Sequence, residues 1–383
     1  MWIKLPNVIS NSSPKSLRMY EMDVNEVKKK RLSPGTTWAG ITTSIGNLQF
    51  SPTQLAHAVV KADFLQFRNP TFPGIGFLIQ SHFIIDWGNT GFRLKTNAKS
   101  RLSDFVLTSM AGRVGQGITI LFAMSRKYKF SAHLRSHLEF KKINLKDTKG
   151  RLRPIGDFLF SGPDRAIFES KASIASPTDD PSQIKTLLRN GLVKQVRPWL
   201  KLAPADKGFV VATYLREPKQ SPSTMVFVDP SRKGNHKKES MNISDESIRR
   251  ENYASWLYAL GLIEEGDRLR SGVTEKLNEV DFAVFTVGNF QIAVPALNVC
   301  PMFWTHKVGP YVGQKPHVPG LQLEVLEAIS ALAHGEREQF LRYQGIEVTL
   351  AQQSEDNYSL LPDGTFFGNV DRFGVPELLT LKL

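Results

Sequence analysis

Two short apolar runs around a Gly-Pro turn constrain this chain more than any other feature. Gly156-Asp157-Phe158-Leu159-Phe160 leads into Ser161-Gly162-Pro163-Asp164-Arg165 and then Ala166-Ile167-Phe168-Glu169-Ser170-Lys171. That pattern predicts a β-hairpin. Asp157 heads the first strand, while Glu169 and Lys171 lie two apart on the second and so share a face. The hairpin is therefore expected to gather two carboxylates and one ammonium at one end of a sheet. Carboxylate oxygens suit the hard cation Mg²⁺, with Mn²⁺ able to substitute. Such an ion beside a lysine suits phosphodiester hydrolysis. The plainer alternative is a solvated strand edge whose charges deter aggregation, with Asp157 capping a turn.

The flanking pattern places this hairpin in an α/β frame. Ser103 and Asp104 start a helix whose apolar face includes Phe105, Met110, Val114, Ile118 and Phe122. Gly112, Gly115 and Gly117 weaken that helix but permit a close neighbour. Phe130 to Phe140 is expected to be extended, and residues 141–153 to be a basic connector. After the hairpin, Ser182 to Leu202 predicts a helix, kinked or ended near Arg197 by Pro198. Gly208 to Leu215 predicts a buried strand. The order is helix, extended segment, hairpin, helix, strand.

This order, together with Asp157, Glu169 and Lys171, resembles the PD-(D/E)xK nuclease superfamily over residues 103–215. The resemblance implies a restriction-endonuclease-like core: a helix, a mixed sheet containing the hairpin, a helix and a strand. It implies a Mg²⁺-dependent deoxyribonuclease in which Asp157, Glu169 and the Ser170 carbonyl hold the metal. Lys171 would position or deprotonate the attacking water, or steady charge on the phosphate, leaving a 5′-phosphate and a 3′-hydroxyl. Gly156 stands where the family often has proline. Gln116 takes the place of a helix glutamate, and Gln195 that of a polar residue on the following helix. Restriction, antiphage defence, mobile-element processing and toxin activity all remain open as settings. A nuclease-like scaffold that binds nucleic acid or assembles with partners without cutting is the alternative.

Composition narrows the partner. The chain has 383 residues, 41% of them hydrophobic, enough for a sizeable core. Lys and Arg number 49 against 36 Asp and Glu, a formal charge of +13. A polyanion, DNA rather than RNA or a membrane, is the expected partner, and a homodimer or further protein partners remain open. No unbroken apolar run approaches membrane-spanning length, ~18 residues. The N-terminus lacks the apolar stretch of a secretory signal. Cys300 is the only cysteine, which fits a reducing compartment, the cytoplasm.

The remaining sequence divides into residues 1–100, an α+β region of unknown role, the core at 101–230, and an α+β region at 231–383. Ser51-Pro52 opens a helix through Phe64. Ile75 to Trp87 is expected to be strand, returning at Phe92-Arg93-Leu94. A helix from Ser244 is expected to end at Gly266. Further expectations are a hairpin about Gly288-Asn289, a helix from Leu321 to Gly335 and a hairpin at Phe366-Phe367. His133 and His137 are read as surface or nucleic-acid-facing residues, and Trp256, Trp304 and Tyr311 as core. Arg151, Arg153 and the basic loop at 231–240 are solvated or touch phosphate.

Overall fold

A computed structural model describes residues 13–66, 77, 81, 83–101, 103–147, 149–174, 180–202, 205–219, 222–230, 244–272, 277–296, 317–348, 358–370 and 373–383. The first half of the chain supplies β1 (Lys15–Met22), β2 (Thr42–Phe50), α1 (Pro52–Gln66), α2 (Asp104–Ser125), β3 (Phe130–His133) and α3 (Leu134–Phe140). It continues with β4 (Phe158–Ser161), β5 (Arg165–Ser173), α4 (Pro181–Asn190), α5 (Arg197–Leu202), β6 (Lys207–Tyr214) and β7 (Thr224–Val228). These strands form a seven-stranded mixed sheet in the order β2-β1-β7-β6-β5-β4-β3. β4 and β5 are the expected hairpin, with Phe158 opposite Phe168. β6 runs parallel to β5, because α4 and α5 carry the chain back across the sheet.

The two faces of this sheet are covered by different helices, for reasons visible in the glycines. A Cβ on Gly115 of α2 would come within 2.7 Å of the Ala172 side chain and 3.3 Å of the Ser170 hydroxyl. A Cβ on Gly117 would lie 2.8 Å from Val59 of α1. So α2 is clasped between β5 and α1. Its apolar window, mean hydropathy 1.3, is long enough to cross a membrane by length and composition, although Arg113 interrupts the apolar run. That window is 61% buried inside the protein, as a core helix requires. On the other face, Gly191 brings its backbone against Val210 and Glu169.

Gly191–Val196 forms a π-helical turn joining α4 to α5. The Arg197 amide donates to the Leu192 carbonyl, five residues back. The helix therefore does not end at Arg197. Pro198 falls at the start of the resumed helix, where its missing N–H costs little.

The second half adds α6 (Asp245–Ala259), α7 (Ile263–Ser271), β8 (Glu279–Val287), β9 (Phe290–Pro295) and β10 (Val318–Gln322). After these come α8 (Leu323–Ala333), β11 (Tyr358–Leu360), β12 (Thr365–Gly368) and β13 (Glu377–Lys382). They build a six-stranded antiparallel sheet, β11-β12-β10-β9-β8-β13. The hairpin about Gly288-Asn289 and the hairpin at Phe366-Phe367 form as expected. The helix from Ser244 breaks at Leu260-Gly261, and α7 carries on past Gly266. Gly261 has φ +84°, which ends the first helix without steric cost.

α1 joins the two sheets. It starts in a capping box: the Gln54 amide donates to Ser51 Oγ at 3.1 Å, and the Ser51 amide to Gln54 Oε1 at 2.7 Å. Almost all of its residues are buried, since it packs on α2, α6, β3, β11 and β12. One contiguous core runs from Leu17 to Leu383.

Other expectations are corrected. Phe130 to Phe140 is strand only to His133. There the His133 ring caps α3 by accepting from the Ser136 amide. His133 and His137 are buried rather than facing solvent, because α3 packs on β3. In the stretch expected to be strand, Phe77, Ser81, Phe83 and Ile84 are helical, and among the described residues there only Ile85 forms a bridge, to Leu94. Trp256 is fully buried in the core. The basic loop at 231–240, Cys300, Trp304 and Tyr311 lie outside the described residues.

Candidate active site

Asp157 sits just ahead of β4, the last residue before the strand. Its amide donates to the Phe168 carbonyl at 3.1 Å and its carbonyl accepts from the Leu134 amide at 2.9 Å. Both bonds fix the backbone where the hairpin opens. The Asp157 Oδ2 atom then accepts from the Ser170 amide at 2.8 Å. In extended backbone the amide and carbonyl of one residue leave on the same side. The Ser170 carbonyl therefore also looks toward Asp157, beyond the last β4–β5 pair.

Glu169 and Lys171 share the opposite face of β5 from Ser170 and Ala172. Glu169 is fully buried beneath Gly191 of the π-helical turn. Lys171 forms an ion pair with Glu169 Oε1 while remaining 26% exposed. Neither Glu169 oxygen receives a well-formed hydrogen bond. Burial raises the pKa of Glu169 above the carboxylate range, and the nearby Asp157 charge raises it further. Lys171 and Gln195 oppose that shift. Burial likewise pushes Asp157 up, against the Ser170 amide and Lys171. A buried and a half-buried acid beside one lysine carry a surplus negative charge, which disfavours full ionisation of the pair without a further cation.

Gln195 comes from the π-helical turn. Its Nε2 donates to the Ile155 carbonyl at 3.1 Å, and its amide lies beside Glu169. One turn on, Trp199 Nε1 donates to the Pro154 carbonyl at 2.8 Å. These two bonds pin the segment entering Asp157 against the helix. Gln116 is placed differently. It follows Gly115 on the helix that covers the Ser170 face, and it makes no hydrogen bond to Asp157, Glu169 or Lys171 among the described residues. The structure thus brings together Asp157, Glu169, Ser170, Lys171 and Gln195, without joining Gln116 to them.

Sequence reasoning missed Gly191 and Trp199 as supports of this site. Their helix was legible, but the π-helical turn that aims Gln195 and lowers Gly191 onto Glu169 has no signature in apolar spacing. The donor set fits a hard cation: carboxylate oxygens, those of Glu169 buried without a well-formed hydrogen bond. Among the described residues, no group of three or more His, Cys, Asp or Glu side chains is placed to hold a metal. Magnesium is commonly held by one or two carboxylates, with water and substrate phosphate completing its shell. Comparison of the chain with protein-family models, curated proteins and solved structures finds no match.

Proposed function

We propose that this chain is a metal-dependent nuclease that hydrolyses DNA phosphodiester bonds, with a restriction-endonuclease-like core spanning α2 to β6. The observation that carries this reading is Glu169: a buried carboxylate that receives no well-formed hydrogen bond, paired with Lys171 and within electrostatic reach of Asp157. Asp157, Glu169 and the Ser170 carbonyl would hold Mg²⁺, or Mn²⁺ in its place. When bound, the ion would polarise the scissile phosphate and make a bound water more acidic. Lys171, partly exposed, presents its ammonium at the mouth of the site, where it can orient the attacking water or offset phosphate charge. Gln195 holds the Ile155 backbone, and through it the strand that carries Asp157. The order of α2, hairpin, α4–α5 and β6 and the basic surplus of +13 also support the reading.

The test is hydrolysis of plasmid, linear DNA, single-stranded DNA and RNA in Mg²⁺, Mn²⁺ or EDTA. Cutting should need the metal and be lost in Lys171→Ala and Asp157→Ala proteins that stay folded. Unchanged cutting in either variant overturns the site. The non-catalytic reading is favoured by one feature: Gln116 supplies no charge and no bond to the site. Salt-sensitive binding without cutting under any metal would select it.

A further inference from the structure

The segment ahead of Asp157 carries charge that the catalytic pair does not use. Residues 144–147 and 149–153 form a short hairpin-like ribbon closed by a single bridge rather than a loose connector. Lys146 bridges to Leu152, the Asp147 amide donates to the Arg151 carbonyl at 2.8 Å, and the Arg153 amide to Leu145 at 2.9 Å. Asp147 Oδ1 tightens the turn by accepting from the Lys149 and Arg151 amides. Gly150, with φ +74°, supplies the left-handed residue that such a turn needs.

The turn of the ribbon is exposed, and two of its four cations have no acidic partner among the described residues. Arg151 pairs with Asp147 at 3.3 Å. Lys146 and Lys149 have no acidic partner among the described residues, and neither do Lys194 and Arg197 on the neighbouring helix, whereas Arg153 lies within electrostatic reach of Asp147. Leu152 is 57% exposed among them, an apolar side chain on an otherwise cationic strip. The Trp199–Pro154 and Gln195–Ile155 bonds fasten the base of the ribbon to that helix, next to the carboxylates.

We infer that the ribbon, with Lys194 and Arg197, is the surface on which a double-stranded DNA substrate lies, the ribbon entering a groove and the helix cations meeting the backbone. The inference rests on the nuclease reading and adds to it the form of the substrate. A two-stranded ribbon fits the major groove of B-DNA, where an apolar side chain can meet a thymine methyl. Single strands are held chiefly by aromatic stacking, and residues 144–153 contain no aromatic side chain. Unpaired lysines and arginines are what phosphate contacts and counterion release require.

The test is equilibrium binding of the full chain in EDTA to a short duplex and to its separate strand, across a salt series. The duplex should bind at least about tenfold tighter than the strand, with a steep salt dependence. Replacing Lys146→Gln with Lys149→Gln should weaken duplex binding and lower the salt slope by about two, one for each phosphate no longer neutralised. The control, Arg337→Gln with Lys382→Gln, removes the same charge from residues paired with Glu246 and Glu279, and should leave the slope unchanged. Thermal midpoints of both double variants verify folding. An unchanged slope in the ribbon variant, equal losses in ribbon and control variants, or preference for the single strand would overturn the inference. Those outcomes are separable from failure of the catalytic site, which is read by cleavage in Lys171→Ala rather than by binding in EDTA.

Discussion

Among the described residues, two buried carboxylates pair with a lysine, and the pairs are built on opposite principles. Lys61 of α1 and Asp363 before β12 meet at 2.5 Å with both side chains wholly buried, 302 positions apart in the chain. Asp363 also accepts from Asn252 Nδ2 at 2.8 Å and from Thr365 Oγ1 at 2.7 Å. Its pKa is held below the usual carboxylate value, because those partners outweigh the cost of burial. Glu169 has the same burial, a single lysine, a like charge for a neighbour and no well-formed hydrogen bond, and its pKa is raised. A fully satisfied buried pair needs nothing more and serves as a clamp. An unsatisfied one is costly by itself and is understandable where a ligand completes it.

Breaking the satisfied pair should have the largest effect. Asp363→Ala leaves Lys61 charged in the interior and strips Asn252 and Thr365 of an acceptor, so it should cost about 3–5 kcal/mol in denaturant unfolding. A loss under about 1 kcal/mol would remove the distinction between the two pairs. The unsatisfied pair should show its importance in rate instead. Lys171→Ala should lower metal-dependent cleavage by about a hundredfold to a thousandfold, comparable to losing a preorganised charge stabiliser, with little change in thermal midpoint.

Mg²⁺ should sharpen the contrast further. At about a hundred times its dissociation constant, a ligand that binds only the folded state stabilises it by about 2.7 kcal/mol. That gain, read as a rise in thermal midpoint on replacing EDTA with Mg²⁺, should vanish in Asp157→Asn and persist in Lys61→Met, provided the latter still folds. A gain that survives in Asp157→Asn would place the ion elsewhere.

The sequence disclosed the unsatisfied pair and hid the satisfied one. Asp157, Glu169 and Lys171 fall within one hairpin, so strand period and a Gly-Pro turn were enough to bring them together. Lys61 and Asp363 are joined only by the packing of α1 on the β11–β12 turn, a long-range contact that leaves no local pattern. The same reasoning covers β1 and β2. Their alternation is diluted by charged and small residues (Lys15, Arg18, Glu21, Ser44, Gly46), and only the tertiary pairing of β1 with β7 shows that they extend the main sheet. Nothing local marks Lys15 as an interior residue. It is nonetheless buried, with its ammonium donating to the Trp87 and Asn89 carbonyls at 2.6 Å each. Helix α2 was legible because its apolar face is broad. The role of Gly115 as a contact with β5 follows from spacing, whereas the absence of a hydrogen bond from Gln116 to Asp157, Glu169 or Lys171 among the described residues does not.

The smallest expected effect concerns pH and has opposite signs at the two pairs. Asp157 and Glu169 have folded pKa values raised above their unfolded ones. From about pH 4 upward the unfolded chain loses their protons while the folded pair still holds one, so stability contributed by that proton is lost as pH rises toward neutrality. Asp363, with a lowered pKa, contributes stability at neutral pH that is lost only as pH falls below the ordinary carboxylate range. His57, buried neutral with a pKa lowered to about 3 by burial, also loses stability on acidification. It does so equally in any site variant, and therefore cancels in a difference. Glu169→Gln measured against the parent chain in EDTA should flatten the decline between about pH 5 and 7.5 and raise stability at neutral pH by about 1 kcal/mol. Saturating Mg²⁺ should reverse the ranking, since only the parent chain keeps both acids for the ion. If the two proteins show parallel pH profiles in EDTA, Glu169 is not carrying the surplus charge that the proposed metal site requires.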